Sequence, residues 1–339
     1  MTERQDFILQ FIKQHPNTNS AAIVEYMANA WAEKSSRATV LRDIDALVSG
    51  GLVIKSGSAR ATTYAPSIDI ESYFAIDPDK RTLKHEYFNF DIWDVMHDLF
   101  SPKELSELDT QNKTYRQNKA ELSPTELKKE IERLTIEFAW KSSKIEGNTY
   151  TLLDTERLIK DKTEAAGKKK DEAIMILNHK AALDFIFEQP DFFEQITIAT
   201  IEHIHRLLTG ELEIENGIRQ RRVRIIGTNY RPLDNRQQIM EALEKMVDLI
   251  NGLPHPLEKA LAAVLLISYI QPFEDGNKRT ARTVGNALLL AADYCPLSYR
   301  SADEIEYKKG MILFYEQNDW SYFKTIFTDQ FRQGIEKYF

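Results

Sequence analysis

The stretch IQPFEDGNKRTAR, residues 270–282, combines residue types suited to binding phosphate. Pro272 is expected to end a preceding helix, because proline has no amide hydrogen and disfavours helical geometry at the residue before it. Gly276 and Asn277 tolerate the backbone angles of a tight turn. A helix that begins near Asn277 would point its unpaired amides at an anion. The spacing therefore predicts an anion site between two helices.

Three charged side chains extend this predicted site. Arg279 and Arg282 lie three residues apart, on one side of the second helix, and would clamp phosphate oxygens. Asp275 lies just before the turn, where it is placed to hold Mg²⁺ against those phosphates. The order GNKRT lacks the spacing of a P-loop. The alternative is a helix junction whose basic start is simply solvated, and the convergence of several features favours a Mg-nucleotide site.

The stretch resembles the signature of the Fic family, H-P-F-x-[D/E]-G-N-G-R-x-x-R, and the resemblance covers roughly residues 90–335. It implies a mainly α-helical domain that transfers AMP from ATP, with Mg²⁺, to a Ser, Thr or Tyr hydroxyl of a target protein. The matched positions are Pro272, Phe273, Asp275, Gly276, Asn277, Arg279 and Arg282. The residues implied to bind the nucleotide are Phe273, Gly276, Asn277, Lys278, Arg279 and Arg282, with Asp275 on the metal.

Two positions depart from the family pattern. Gln271 stands where the family has the histidine that acts as general base, and an amide cannot take a proton near neutral pH. Arg279 and Arg282 are implied to act in catalysis beside Gln271. Without a base at residue 271, we expect the chain to transfer AMP weakly or not at all. Lys278 stands where glycine is commoner, as in the related Doc group, which transfers a phosphoryl group. AMP transfer is favoured over Doc-like phosphotransfer by the Pro272 and Phe273 context.

A second motif, SSKIEGN, fits the family's inhibitory pattern [S/T]-x-x-x-E-[G/N]-N. It closes a predicted helix at 123–146 that opens with a capping box, Ser123 with Glu126. The resemblance implies that Glu146 pairs with Arg282 and fills space that the γ-phosphate needs. The simpler interpretation is a helix C-terminus closed by a glycine. The residues of the predicted inhibitory motif are Ser142, Glu146, Gly147 and Asn148.

An arginine-rich stretch, GIRQRRVRIIGTNYRPLD, interrupts the helical pattern and is predicted to form a β-hairpin at 218–232. By resemblance, this hairpin is the flap that holds the target segment through strand pairing. The residues predicted to form the target flap are Val223, Ile225, Gly227, Thr228 and Tyr230. Self-modification of a hydroxyl of the chain is a second predicted outcome.

The N-terminal residues 1–68 show a different pattern: three helical segments, then the β-prone LVIKSG and ATTYAP. Ser20 is predicted to cap the second helix, and Ser35 or Ser36 the third. The order resembles a winged helix-turn-helix, with Arg37 and Arg42 on the recognition helix facing DNA. Asp43 and Asp45 on the same helix weaken the case, and protein contact or homodimerisation stays open. These 68 residues carry seven Lys or Arg and six Asp or Glu, within a chain of net charge −8.

The whole chain is thus predicted as a small winged helix-turn-helix at 1–68, a connecting segment with the first helices at 69–120, and a mainly α Fic-type domain with a flap at 121–339. The apolar runs are too short for a membrane span, the first residues lack a signal-peptide pattern, and we expect a cytoplasmic protein. The single cysteine, Cys295, is expected to be a buried hydrophobe.

Other histidines are poor substitutes for the missing base. His203 and His205 lie on an apolar helix, where packing is the simpler interpretation, and His255 precedes a helix that it could cap. The competing function is a catalytically silent regulator that binds nucleotide and acts through residues 1–68. Labelled ATP separates these two functions.

Overall fold

The structure is a computed structural model that describes residues 1–32, 34–57 and 62–338. The described chain forms two compact units: residues 1–81 with 91–98, and residues 82–90 with the chain from 99 onward. The boundaries predicted at residues 68 and 120 stay predictions. Ala61, the first residue of the second β-prone stretch, lies outside the described residues.

The first unit contains three helices followed by two antiparallel strands, in the predicted order. Apolar residues at helical spacing form its core, including Ile8, Ile12 and Ile23. Its assignment as a winged helix-turn-helix stays a prediction. The elements are α1 Glu3–Gln14, α2 Ser20–Ala30, α3 Arg37–Ser49, β1 Val53–Ser56, β2 Thr63–Pro66 and the short helices α4 Ile70–Ala75 and α5 Ile92–Val95.

Of the N-terminal helix caps predicted for this unit, the one on α3 is confirmed and the one on α2 differs. Ser36 caps α3, with its side chain accepting a hydrogen bond from the Thr39 amide at 3.2 Å. The prediction that Ser20 caps α2 is wrong by one residue, because Asn19 Oδ1 accepts from the Ala22 amide at 2.9 Å. Asparagine caps as well as serine does, so composition alone does not choose between neighbours.

The second unit is helical, and the helix predicted at 123–146 is present at Pro124–Ile145. The capping box of Ser123 and Glu126 opens α7 as expected. Helix α8 was not predicted. The elements are α6 Pro102–Glu121, α7 Pro124–Ile145, α8 Leu152–Asp161, α9 Lys170–Glu188, α10 Ile198–Thr209, α11 Arg236–Gly252, α12 Pro256–Ile270, α13 Asn277–Ala291, α14 Glu304–Gln317 and α15 Ser321–Tyr338.

Helices α12 and α13 pack against each other at the centre of the second unit, and the 271–276 turn joins them. Both helices are buried along almost their whole length. A Cβ atom at Gly285 of α13 would lie 2.8 Å from Val264 Cγ2 of α12, so glycine permits their close approach. Helix α13 also packs against α7, α9 and α10, which places its first turn where several elements meet.

The β-hairpin predicted at 218–232 is not formed by strand pairing. A turn at residues 226–227 is present, but within 217–235, all described, no two strands pair. The buried guanidinium of Arg219 instead donates to carbonyls at both ends, those of Arg221 at 2.7 Å and Leu233. These carbonyls are thereby satisfied without a ladder. We call residues 218–232 the arm.

Two further features bear on the type of protein. In the described part of the chain, no helix is long and apolar enough to cross a membrane. Cys295 is fully buried, and burial raises the pKa of its thiol, which suits a packing role. His255 caps α12, its side chain accepting from the Leu257 amide at 3.2 Å, as the alternative for that residue proposed.

Candidate active site

The turn between α12 and α13 is closed by one side chain. Asn277 Oδ1 accepts from the Phe273 amide, and Asn277 Nδ2 donates to the Phe273 carbonyl, both at 2.8 Å. Gly276 adopts φ 78°, and a Cβ there would lie 3.3 Å from Thr209 Cγ2. Gly276 therefore serves the turn through its φ, as predicted, whereas Asn277 serves it through its amide.

The first amides of α13 have no side-chain cap, since glycine occupies the cap position. Unpaired amides at a helix start, together with the helix dipole, favour an anion. Asp275 lies beside this position, with Oδ1 accepting from the Gly276 amide at 2.6 Å and a side chain that is 71% exposed. The geometry predicted for a phosphate turn is thus present around residues 275–278.

The two motif arginines contact different helices. Arg279 is 2% exposed and lies beneath the turn, where Nη1 donates to the Leu208 carbonyl at 3.3 Å and Nη2 lies 3.4 Å from Asp275 Oδ2. Arg282 is fully buried and donates to α7 and to the Tyr307 hydroxyl. The two arginines therefore do not form the predicted shared clamp on one exposed surface. Each guanidinium already has protein acceptors.

Glu146 is the acceptor that links Arg282 to the predicted inhibitory motif. Arg282 Nη2 donates to Glu146 Oε1 at 2.8 Å, and Lys278 Nζ lies 3.8 Å from Glu146 Oε2. Burial alone would raise the pKa of this carboxyl, but the charges of Arg282, Lys278 and Arg279 outweigh it and hold the pKa below its usual range. Glu146 is therefore ionised at neutral pH.

The end of α7 fixes the position of that carboxylate. Gly147 follows with φ 98°, so the simpler interpretation of a glycine-closed helix also applies. Asn148 Nδ2 donates to the Glu172 carbonyl of α9 at 2.8 Å, and Asn148 Oδ1 accepts from the Tyr150 amide at 2.9 Å. Ser142 Oγ accepts from Arg282 Nε at 2.9 Å. The motif residues thus bind Arg282 or anchor the turn beside it.

Gln271 lies at the head of the turn in the left-handed region, at φ 52°, and is 7% exposed. Its Nε2 donates to the Ser268 carbonyl at 2.7 Å, and its own carbonyl accepts from Arg219 Nε at 2.6 Å. An amide held in this way is polar but has no basic site at neutral pH. The position is defined, and its side chain is unsuited to proton removal.

Phe273 does not present its ring to the site. The ring is fully buried and stacks on His205, with centroids 3.7 Å apart. His205 Nε2 donates to the Asp275 carbonyl at 3.0 Å, and burial lowers the pKa of this imidazole to about 4. The Phe273 amide and carbonyl are both bound to Asn277, so Phe273 serves the turn rather than a ligand. His205 supports the turn as a neutral donor, which agrees with its predicted packing.

The site surrounds a cavity of about 220 Å³. This is below the roughly 300–1,000 Å³ of common ligand pockets, and Glu146 occupies part of the rim. Arm residues predicted to face a target, Val223 and Ile225, lie on one side. The lining consists of Glu146, Val223, Arg224, Ile225, Ile226, Gln271, Glu274, Asp275, Gly276, Asn277, Lys278 and Arg279.

Other arm residues anchor the arm or shape it. Tyr230 is 2% exposed, stacks on Tyr269 and donates its hydroxyl hydrogen to the Tyr269 carbonyl at 3.0 Å. Gly227 takes φ 88° in the turn, and Thr228 Oγ1 accepts from the Tyr230 amide at 3.1 Å. The prediction missed Ile226, which is 97% exposed at the turn. Tyr230 is an anchor, and Ile226 is the apolar side chain available at the tip.

A metal could be held at this site by Asp275 together with phosphate oxygens. Across residues 1–32, 34–57 and 62–338, no cluster of three His, Cys, Asp or Glu side chains could bind a metal ion. Mg²⁺ commonly takes one or two carboxylates, with substrate phosphates and water completing its shell. The exposed carboxylate of Asp275 fits that pattern, whereas a metal held by protein ligands alone does not.

The sequence prediction gave no role in the site to three residues that hold the motif in place, namely Arg219, Tyr307 and His179. Arg219 was counted with the arm, yet it binds the Gln271 carbonyl. Tyr307 and His179 lie on α14 and α9 and reach Arg282 directly or through Ser142. A buried polar residue in an apolar helix is the signal that His179 offered, but nothing in the sequence names its partner.

Comparison with known proteins connects this geometry to a family. Residues 195–289 match the Fic/DOC family. This part of the chain is similar to a Fic domain. A protein adenylyltransferase Fic of Nematostella vectensis is 30% identical over 190 residues, which cover 53% of this chain and 43% of the relative. A protein of the same name from Culex quinquefasciatus is 31% identical over 180 residues, covering 50% and 35%.

Solved structures of Fic proteins share the fold of the helical part. A Fic-1 fragment of C. elegans (residues 134–508) has a TM-score of 0.60 at 22% identity and covers 70% of each chain. A Fic domain containing signaling protein from Bacteroides thetaiotaomicron has a TM-score of 0.58 at 21% identity, covering 69% and 95%. The mainly helical Fic fold is therefore confirmed. The matches span less than half the length of the two curated relatives named above.

Proposed function

We propose that this chain is a Fic-type protein AMP-transferase scaffold that Glu146 holds inhibited and that Gln271 deprives of its general base. The observation that carries the proposal is the ion pair between Arg282 and Glu146, formed directly beside the turn at 275–278. The curated relatives with which the chain shares about 30% identity are named protein adenylyltransferases. ATP is thus the proposed donor and a protein hydroxyl the proposed acceptor.

The proposed roles follow from the contacts. The uncapped amides of α13 and the side chain of Lys278 bind phosphate oxygens, and Asp275 would hold Mg²⁺, which neutralises phosphate charge. Arg282 cannot turn to a phosphate while it donates to Glu146 and to both oxygens of Ser142. Release of Glu146 would free the guanidinium.

The missing step is removal of the hydroxyl proton. An attacking oxygen needs a base within hydrogen-bond reach, and Gln271 occupies the position that faces the cavity. Loss of a general base typically costs ~10²- to 10⁴-fold in rate. The arm is proposed to hold the target protein that carries the acceptor hydroxyl, with the exposed Ile226 at its tip. Self-modification follows wherever a hydroxyl of the chain reaches the site.

ATP labelled separately at the α- and γ-phosphates tests the proposal. We expect α-label on protein when Gln271→His is introduced, rising ~10²- to 10⁴-fold over the parent chain, and more again when Glu146→Gly is added. Protein-bound label is measured after gel separation, with Gln271→Asn as a control that restores no base. Transfer of the γ-label would favour Doc-like phosphotransfer. No transfer in the double variant would leave the silent regulator.

A second function, DNA binding by the first unit, has one observation in its favour. Asp43, which weakened the prediction from sequence, is 7% exposed and pairs with Arg4 of α1. Arg37 and Arg42 are exposed on α3. Asp43 is therefore withdrawn from the face that carries the two arginines, whereas Asp45 stays exposed on the same helix. Duplex DNA is the proposed partner of that face, and homodimerisation and cytoplasmic location stay predictions.

A further inference from the structure

The buried side chain of His179, in the middle of α9, lies behind the inhibitory motif. It is fully buried, and its Nδ1 lies 2.8 Å from the Met175 carbonyl, one helical turn earlier. A carbonyl oxygen accepts hydrogen bonds and cannot donate them, so Nδ1 carries the hydrogen. In a neutral ring, Nε2 is then a bare acceptor.

Ser142 connects this acceptor to Arg282. Ser142 Oγ lies 2.8 Å from His179 Nε2 and 2.9 Å from Arg282 Nε. A guanidinium only donates, so Ser142 accepts from Arg282 and gives its own hydrogen to His179. The chain of donors runs one way, from Arg282 through Ser142 and His179 to the Met175 carbonyl. The direction is fixed at both ends, because the guanidinium can only donate and the carbonyl oxygen can only accept.

The same serine also holds the other side of the guanidinium. Arg282 Nη2 donates to the Ser142 carbonyl at 2.9 Å and to Glu146 Oε1 at 2.8 Å. Two oxygens of one residue therefore set the plane of the guanidinium fork. The fixed plane therefore decides which edge of the Arg282 guanidinium faces Glu146.

We propose that His179 is a positioning residue of the inhibitory contact: as a neutral acceptor it fixes the Ser142 hydroxyl, and through it the orientation in which Arg282 binds Glu146. The proposal rests on the inhibitory role proposed for Glu146. His179 touches neither nucleotide nor reacting atoms. It acts through Ser142 alone.

The surroundings of the ring keep it neutral. Burial lowers the pKa of His179 to about 3, and the positive charges of Arg279 and Arg282 act in the same direction. The Met175 carbonyl and Glu146 oppose this shift without cancelling it. Ser143 Oγ, 3.3 Å from Nδ1, lies on the donor side of the ring. A positive imidazole would place a second donor against Ser142 and break the chain.

The ring spectrum of ¹⁵N-histidine in the full chain tests the first half of the proposal without reference to activity. His179→Gln identifies the signal by its loss. We expect the Nδ1–H tautomer with a bare Nε2, unchanged between about pH 5 and 8, where free histidine titrates. An Nε2–H tautomer, or a protonated ring in that range, would overturn the proposal.

Transfer of AMP tests the second half. In the Gln271→His background, His179→Leu should raise transfer about 2- to 10-fold, the effect of one neutral hydrogen bond on the Arg282–Glu146 contact. His179→Gln should stay near the parent, since its terminal oxygen can accept from Ser142. In a background that also carries Glu146→Gly, neither variant should raise transfer.

Three results would count against His179. An equal rise in both backgrounds, no rise in either, or the same rise for Leu and Gln would show a role in packing alone. If His179→Leu does not fold, Ser142→Ala removes this hydrogen bond together with the one from Arg282 Nε, and it must raise transfer only while Glu146 is present. Failure of Gln271→His with Glu146→Gly to transfer AMP would refute the proposed function, and the ring spectrum would still decide the tautomer on which this inference depends.

Discussion

The residue that closes the turn, Asn277, offers a test with a matched partner on the same helix. Asn277 makes two hydrogen bonds to the Phe273 backbone, and Asn286 makes two to the Leu297 backbone at 2.8 and 2.9 Å. Alanine at either position leaves buried backbone groups unpaired, at about 1–3 kcal/mol. We expect similar losses of Tm for both changes. Only Asn277→Ala should abolish ATP binding measured by calorimetry, because Asn286 lies away from the turn.

Equal loss of ATP binding in both variants would mean that the turn needs only an intact helix. Loss in neither would mean that the amides at 275–278 do not bind the nucleotide. Comparison of the two variants thus separates a loss of stability from a loss of ATP binding, because each asparagine makes the same kind of hydrogen bonds to the backbone of one residue.

The pH dependence of stability tests the charge on Glu146. Its pKa is lowered in the folded state, so its contribution is fully present above the unfolded value near 4.3 and is lost as the pH falls through the folded value. At pH 7 the chain should exceed Glu146→Gln in unfolding free energy by roughly 1–3 kcal/mol. Denaturant titrations from pH 7 downward should show this difference shrinking below about pH 4.3.

A difference that stays constant across that range would contradict an ionised Glu146 paired with Arg282. Glu126 provides a control, because its carboxylate lies in an exposed capping box at the start of the same helix. Hydrogen bonds from Ser123 lower the pKa of Glu126 as well, so the Glu126→Gln variant shows the pH dependence that comes from an exposed capping carboxylate of α7. The Glu146→Gln profile is compared with it to show what the buried pair with Arg282 adds.

At the scale of elements, helix starts and ends were predictable where capping chemistry is local. Ser123 opens α7 and His255 opens α12, as sequence spacing indicated. The arm was not predictable, because Arg219 satisfies its carbonyls from a side chain that the sequence shows only as one of several arginines. The direction of Arg279 was missed for a similar reason, since its acceptor on α10 is distant in sequence.

The contact between α12 and α13 gives a prediction at this scale. Gly285→Ala would bring a Cβ within 2.8 Å of Val264 Cγ2, and overpacking of a core costs about 1–3 kcal/mol against a helix-propensity gain of about 1. We expect a lower Tm. Gly252→Ala, at the end of α11 with nothing within 4 Å, should leave Tm equal or higher. A Gly285→Ala chain as stable as the parent would mean that the helices can separate without cost.

At the scale of the whole molecule, charge decides whether the first unit can meet DNA. The chain carries −8 overall, so binding must come from a local cationic face. We expect a steep fall of affinity with salt, and a slope of log K against log salt reduced by about 0.9 for each of Arg37→Ala and Arg42→Ala. Fluorescence anisotropy with duplex DNA measures it.

Lys13→Ala is the control for this experiment, because Lys13 is exposed on α1 and away from the predicted recognition helix. It should leave the slope unchanged. Equal slopes of log K against log salt for all three variants would mean that α3 is not a DNA recognition helix. Protein contact would then be the proposed role of the first unit. The fold of the unit would not be in question, since these side chains lie outside its core.

If the proposed transfer to a protein hydroxyl takes place, Arg219 also limits which hydroxyl is modified. The Arg219 guanidinium donates to the Gln271 carbonyl, to the Arg221 carbonyl within the arm and to the Leu233 carbonyl directly after it, so the distance between residue 271 and the arm is fixed. A peptide aligned on the arm would present whichever of its residues falls opposite residue 271. Exchange of exposed arm residues would change which peptides are held, while the offset from anchor to modified hydroxyl would stay constant.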